Sequence, residues 1–234
     1  MKLQKETKKD LAHGKWYGDA CGTAFGLEVL GERWSMLVVR ELMLGARRFS
    51  DLRASLPGIS AKVLTERLET LAVWGVLERK QTPPPASVQV YELTEWGYAA
   101  DKAINELGRW AARSCHHDPN LPLSASSLMA SMRTMQLPAL ADAPDMTIGF
   151  DLGGEAYQAT VREGQFSTRR VAEACGDAVL RASSARPVAG ALYSGMTLEM
   201  LEAEAGLVIE GDRALAKRFT TMFALPPKLD ASGD

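Results

Sequence analysis

The chain has 234 residues, of which 46% are hydrophobic and 24% charged. At ~150 residues per domain this makes one large domain or two small ones, and the composition excludes disorder over most of the length. A formal net charge of −2 excludes a polycation, so any nucleic-acid site must be a local patch.

No apolar run approaches the ~18 residues of a membrane span, so no membrane partner is expected. Met1 to Lys15 carries five lysines and no apolar block, which does not read as a secretory signal. The cysteines at 21, 115 and 175 are odd in number and widely spaced. They suit a reducing cytosol better than a disulfide framework. Cys115-His116-His117-Asp118 sets four ligand types side by side. Adjacent residues rarely converge on one metal, so neither metal nor cofactor is expected.

From Phe25 to Leu44 apolar residues recur three and four apart, at Phe25, Val29, Leu30, Trp34, Leu37, Val38 and Leu42. That spacing predicts a helix, broken near Gly31 into two. Ser50 to Leu56 predicts a two-turn helix, and Pro57-Gly58 a turn. Ser60 can cap the next helix, Ser60 to Val73, whose Leu64, Leu68 and Leu71 make a narrow apolar stripe. Lys62, Thr65, Glu66 and Glu69 point the other way. Val76 to Thr82 and Val88 to Leu93, joined by Pro83-Pro84-Pro85, predict a β-hairpin. Thr94 can cap one long helix to about Arg113, with Trp96, Ala100, Ala103, Leu107 and Trp110 in line.

This order is a winged helix-turn-helix, which seats its second helix in a major groove. Between residues 47 and 80, seven basic side chains outnumber four acidic ones, a local footprint for phosphate. The same helix could be merely structural, with Lys62 and Glu66 paired on a solvated face. Read as DNA-binding, Lys62 and Thr65 meet base edges, and Ser60 lies near a phosphate at the helix N-terminus. Arg67 on the flank, with Arg47, Arg48, Arg79 and Lys80, are phosphate candidates. Arg79 and Lys80 could also be plain exposed strand residues.

The stretches GLEVLGERWSMLVVRELMLGARRFSDL, LPGISAKVLTERLETLAVWGVLERK and VYELTEWGYA resemble the HxlR-type family of bacterial transcriptional regulators, over about residues 16 to 113. One departure is Glu32-Arg33 before Trp34, where Gly-Lys is more usual. The resemblance implies a dimer that binds double-stranded DNA under effector control. Trp16, Trp96, Ala103, Leu107 and Trp110 are the candidate dimer contacts, against the alternative that they pack on their own domain. Cys21 matches a cysteine that senses oxidants in some members. No neighbour that would lower its pKa is visible in the sequence, and a buried structural thiol is the plainer alternative.

A Pro- and Ser-rich run, HHDPNLPLSASS, places a boundary near residue 120. The expected organisation is a DNA-binding and dimerisation domain over 1–118, a linker with a short helix over 119–137, and a smaller domain over 138–226. In that domain Met146, Ile148, Phe150 and Leu152 alternate with polar or small residues, a period of two. Further short strands and helices follow. The expected fold class is α+β, the second domain being an antiparallel sheet covered by helices. GLVIEGDRALAKRF resembles a sterol carrier protein 2-like domain over about 140–225, implying an apolar ligand. Phe150, Phe166, Tyr193, Met200, Phe219, Met222 and Phe223 could line its cavity, or simply fill the core. The tail from Pro226 is expected to be loose.

No Gly-x-Gly-x-x-Gly follows a strand, and neither Gly-x-Ser-x-Gly nor His-Glu-x-x-His occurs, so an enzyme is not expected. The sequence therefore points to a homodimeric, cytoplasmic, DNA-binding repressor answering a small apolar effector. The alternative is a lipid-carrying or dimerising protein whose winged helix is structural.

Overall fold

The computed structural model describes residues 17–83, 85 and 87–229. Trp16 lies outside the described residues. The chain divides into two compact units, one up to Asp101 and one from Lys102, earlier than the composition change near residue 120. Among the described residues no helix is long and apolar enough to cross a membrane.

In the first unit, α1 (Gly22–Leu30) and α2 (Ser35–Leu42) are separated at Gly31–Trp34, as the periodicity predicts. Helix α3 (Phe49–Ser55) is followed by a turn in which Gly58 takes φ +92. Helix α4 (Ala61–Val73) begins where Ser60 Oγ accepts the Val63 N–H at 3.2 Å. That bond satisfies one of the donors left free at a helix start. Leu64, Leu68 and Leu71 are fully buried, so one side of α4 is spent on the core. Strands β1 (Leu77–Gln81) and β2 (Gln89–Leu93) pair antiparallel, from Leu77 opposite Leu93 to Gln81 opposite Gln89. Arg47 adds a single bridge to Tyr91, which anchors the hairpin to the chain entering α3.

The helix expected in one piece from Thr94 to Arg113 is two, α5 (Glu95–Ala99) and α6 (Asp101–Ala112). Thr94 Oγ1 accepts the Gly97 N–H at 3.1 Å and donates to the Gly75 carbonyl at 2.7 Å. A side chain on Gly97 would meet the Val76 carbonyl at 2.0 Å. Helix α5 is thus pressed onto the backbone leading into β1. The break comes at Ala100, whose N–H turns back to the Gly97 carbonyl at 3.2 Å, the tighter three-residue spacing.

The second unit holds α7 (Ala125–Thr134) and five strands: β3 (Met146–Leu152), β4 (Glu155–Arg162), β5 (Gln165–Arg170), β6 (Ala178–Ala182) and β7 (Val208–Gly211). Helices α8 (Arg186–Tyr193), α9 (Leu198–Ala205) and α10 (Arg213–Thr220) complete it. The strand order is β5-β4-β3-β6-β7. The expected antiparallel sheet is in fact mixed. Three neighbouring pairs are antiparallel, but β3 and β6 run parallel. That register sets Ala178 beside Ile148 and Leu180 beside Phe150, which keeps the apolar side chains on one face. Helix α10 covers this face through Phe219, and α7 through Ser126, which bonds Tyr157 at 3.1 Å. The whole is α+β.

The tail is not loose over its described part. Lys228 Nζ donates to the carbonyls of Ala112, Ser114 and His117 at 3.1, 3.0 and 2.9 Å. A cation is favoured there, where a helix leaves its last carbonyls unpaired.

Candidate nucleic-acid interface

On α4 the side opposite the buried leucines carries Lys62, Thr65 and Glu69, all exposed. Lys62 has no ion pair among the described residues, so the Lys62–Glu66 pairing of a purely solvated face is not formed. Thr65 Oγ1 donates to the Ala61 carbonyl at 3.0 Å, which leaves the side chain an acceptor and a methyl to offer outward. Arg48, immediately before α3, and Arg53 near its end are exposed. Neither has an ion pair among the described residues. Ser60, Lys62, Arg48 and Arg53 thus flank one helix-turn-helix, its three cations without an ion pair among the described residues.

The other cations found by counting are held by the chain itself. Arg47 is buried and donates to Glu41 at 2.8 Å, so it is an internal residue and not a phosphate contact. Counting could not see this, because the carboxylate lies on the preceding helix. Arg67 lies 3.3 Å from Glu32. Arg79 lies 3.6 Å from Glu69 and over the Tyr91 ring. Lys80 pairs with Glu92 at 2.7 Å and Glu78 at 2.9 Å, and these bonds hold its ammonium above the usual lysine range. The hairpin is therefore close to electrically neutral, and the free charge sits on α3 and α4.

Trp34 supports this unit from behind. It adopts φ 80, costly for a residue with a side chain, and its ring lies near Gly58 in the turn before α4. The Arg33 guanidinium stacks over the same ring at 5.3 Å. Neither Arg33 nor Arg53 is among the sequence-derived contacts. The available signal for Arg53 was its place five residues after Arg48 on a short helix.

A family model described as HxlR-like helix-turn-helix matches residues 29–119. The HTH-type transcriptional regulator YvaP of Bacillus subtilis is 38% identical over 85 residues, 36% of this chain and 79% of the relative. The HTH-type transcriptional regulator YodB of the same organism is 38% identical over 93 residues, 40% of this chain and 81% of the relative. The chain belongs to the HxlR-like helix-turn-helix family. A solved structure of reduced YodB from B. subtilis, at 33% identity, covers 43% of this chain and 100% of that one, with a TM-score of 0.39.

Cys21, ahead of the HxlR-like match, is exposed at the start of α1. Backbone N–H groups of Thr23 and then Ala24 hold its thiol below the ordinary range. The neighbour that the sequence did not show is the helix N-terminus itself. Trp96 is exposed on α5, and Ala103, Leu107 and Trp110 are exposed on α6, Trp110 at 70%.

The strands β3 to β7 lie beyond the HxlR-like match. There Phe150, Phe166, Phe219 and Phe223 pack ring on ring, with centroids 5.0 to 6.3 Å apart. Phe166 is the part-exposed member of the four, and Met222 is buried. Tyr193 bonds Ser131 at 2.7 Å. Met200 is 45% exposed and stands apart from this group, because it falls on the solvent side of α9.

Proposed function

We propose that this protein is a sequence-selective DNA-binding transcriptional regulator, acting as a homodimer. The observation that carries this is the outward side of α4, with Lys62 and Thr65 exposed and, beside it, Arg48 and Arg53 exposed with no ion pair among the described residues. Lys62 and Thr65 read base edges, Ser60 approaches a phosphate, and Arg48 and Arg53 hold the backbone. Family membership and relatives that are HTH-type transcriptional regulators support the same reading.

The dimer rests on α6. Of its twelve residues only Ala112 is buried, while Leu107 and Trp110 are exposed at 44% and 70%. An apolar helix side left in water calls for a partner, and two-fold symmetry suits paired half-sites in a duplex. A dimer seated on a promoter blocks access to it, so repression is the simplest outcome. The second unit supplies the regulatory input. An apolar effector would lodge at the edge of the aromatic cluster, against Phe166. By favouring one arrangement of the dimer it would change affinity for a fixed half-site spacing.

Selection from a random duplex pool tests the reading. A consensus with two half-sites about one helical turn apart is the expected result. A pool that never enriches would contradict it. Mass spectrometry of small molecules co-purified with the full chain tests the effector.

A further inference from the structure

We infer that Glu32 sets the strength and salt dependence of DNA binding: its carboxylate keeps the Arg67 guanidinium off the DNA backbone. This inference rests on the DNA-binding reading above.

Arg67 lies on α4 at the border of the leucine stripe. Its Nη1 is 3.3 Å from Glu32 Oε2, with the arginine side chain 17% exposed and the glutamate 50%. Arg67 Nε is buried with no hydrogen-bond partner. Glu32 draws the guanidinium toward the Gly31–Trp34 turn rather than outward along the helix flank.

The Gly31–Trp34 turn touches the helix-turn-helix at two points. Trp34 reaches Gly58 in the turn before α4, and Glu32 reaches α4 itself. Leu64, Leu68 and Leu71, fully buried, already set which side of α4 faces outward, and the turn adds to that hold. Just past the far end of α4 the Phe25 ring of α1 meets the Trp74 ring edge-on at 5.6 Å.

The pairing bears on affinity. Phosphate contacts strengthen binding to any duplex and carry no sequence information. An arginine on the flank of a recognition helix would add such a contact. Held by Glu32, it adds none, so every duplex is bound less tightly and with a shallower salt slope, while the preference among sequences stays with Lys62 and Thr65.

The test uses the full chain and three variants, Glu32→Gln, Arg67→Ala and the double variant. Binding is measured by fluorescence anisotropy on a selected duplex and a scrambled one, from about 50 to 200 mM salt. Arg67→Ala is expected to keep the wild-type salt slope. Glu32→Gln is expected to steepen it by ~0.9 on both duplexes, one added phosphate contact, and to tighten binding to both alike. The double variant is expected to return to the wild-type slope. A slope shallower by ~0.9 in Arg67→Ala would show Arg67 already on a phosphate and overturn the inference. So would a folded Glu32→Gln protein with an unchanged slope. If Glu32→Gln does not fold, Arg67→Ala alone decides. Wild-type protein with no sequence preference at all would instead overturn the DNA-binding reading, and this inference with it.

Discussion

Arg47 donates to Glu41 at 2.8 Å, and the two side chains are 4% and 0% exposed. The Arg47 backbone also exchanges two hydrogen bonds with Tyr91, at 2.9 and 2.8 Å. One residue thus ties α2 to β2 and sets the start of α3. Its neighbour Arg48, one position on, faces solvent. Two adjacent arginines that look equivalent in the sequence have opposite tasks.

Arg47→Ala leaves Glu41 buried with one cation fewer. Removing one partner of a buried pair costs about 3–5 kcal/mol. The low end is expected here, because Arg40 still reaches Glu41 at 2.9 Å. Urea denaturation measures it. A loss under about 0.5 kcal/mol, the level of an ordinary surface change, would contradict the pairing.

Arg48→Ala should leave stability nearly unchanged and lower the salt slope of DNA binding by ~0.9. Lys80→Ala should lower it by clearly less, since Glu92 and Glu78 already hold that ammonium. Anisotropy over a salt series checks both. Equal losses for the two variants would restore the hairpin to the contact surface.

Trp110→Glu puts a charge in the apolar side of α6. The expected result is a monomer by sedimentation at micromolar concentration, where the wild type is a dimer, with weaker binding to a two-half-site duplex. A variant that sediments like the wild type would remove α6 from the interface.

Burial pushes the phenols of Tyr157 and Tyr193 above the ordinary tyrosine range. The folded state therefore favours the neutral phenol. Their contribution to stability is intact below a pH of about 10 and is lost as pH rises through the folded-state values. Phenolate absorbance during alkaline titration should show these two of the five tyrosines ionising only as near-ultraviolet circular dichroism collapses. Full ionisation of a still-folded protein would contradict this.

What the sequence made legible was local. Ser60, the leucine stripe and Gly75 mark α4, because a cap and a 3.6-residue period are written within one segment. Asp212 and Thr197 mark α10 and α9 in the same way, each accepting a backbone N–H three residues on. Partners distant in space were not legible. Glu41 under Arg47, Glu32 beside Arg67, and the parallel seating of β6 against β3 all depend on where the chain folds back. The break at Ala100 was hidden for another reason. Its apolar spacing runs on unchanged from Trp96 to Trp110, while the cause lies in Gly97 pressed onto Val76.

The most direct measurement compares wild type and Lys62→Ala on a selected duplex and on the same duplex altered at one base pair at a time. A base-edge contact carries roughly 1–3 kcal/mol of discrimination. Lys62→Ala is predicted to lose about ten-fold or more in preference at one or two positions per half-site while still binding. Identical preference profiles for the two proteins would show that the outward side of α4 does not read the duplex.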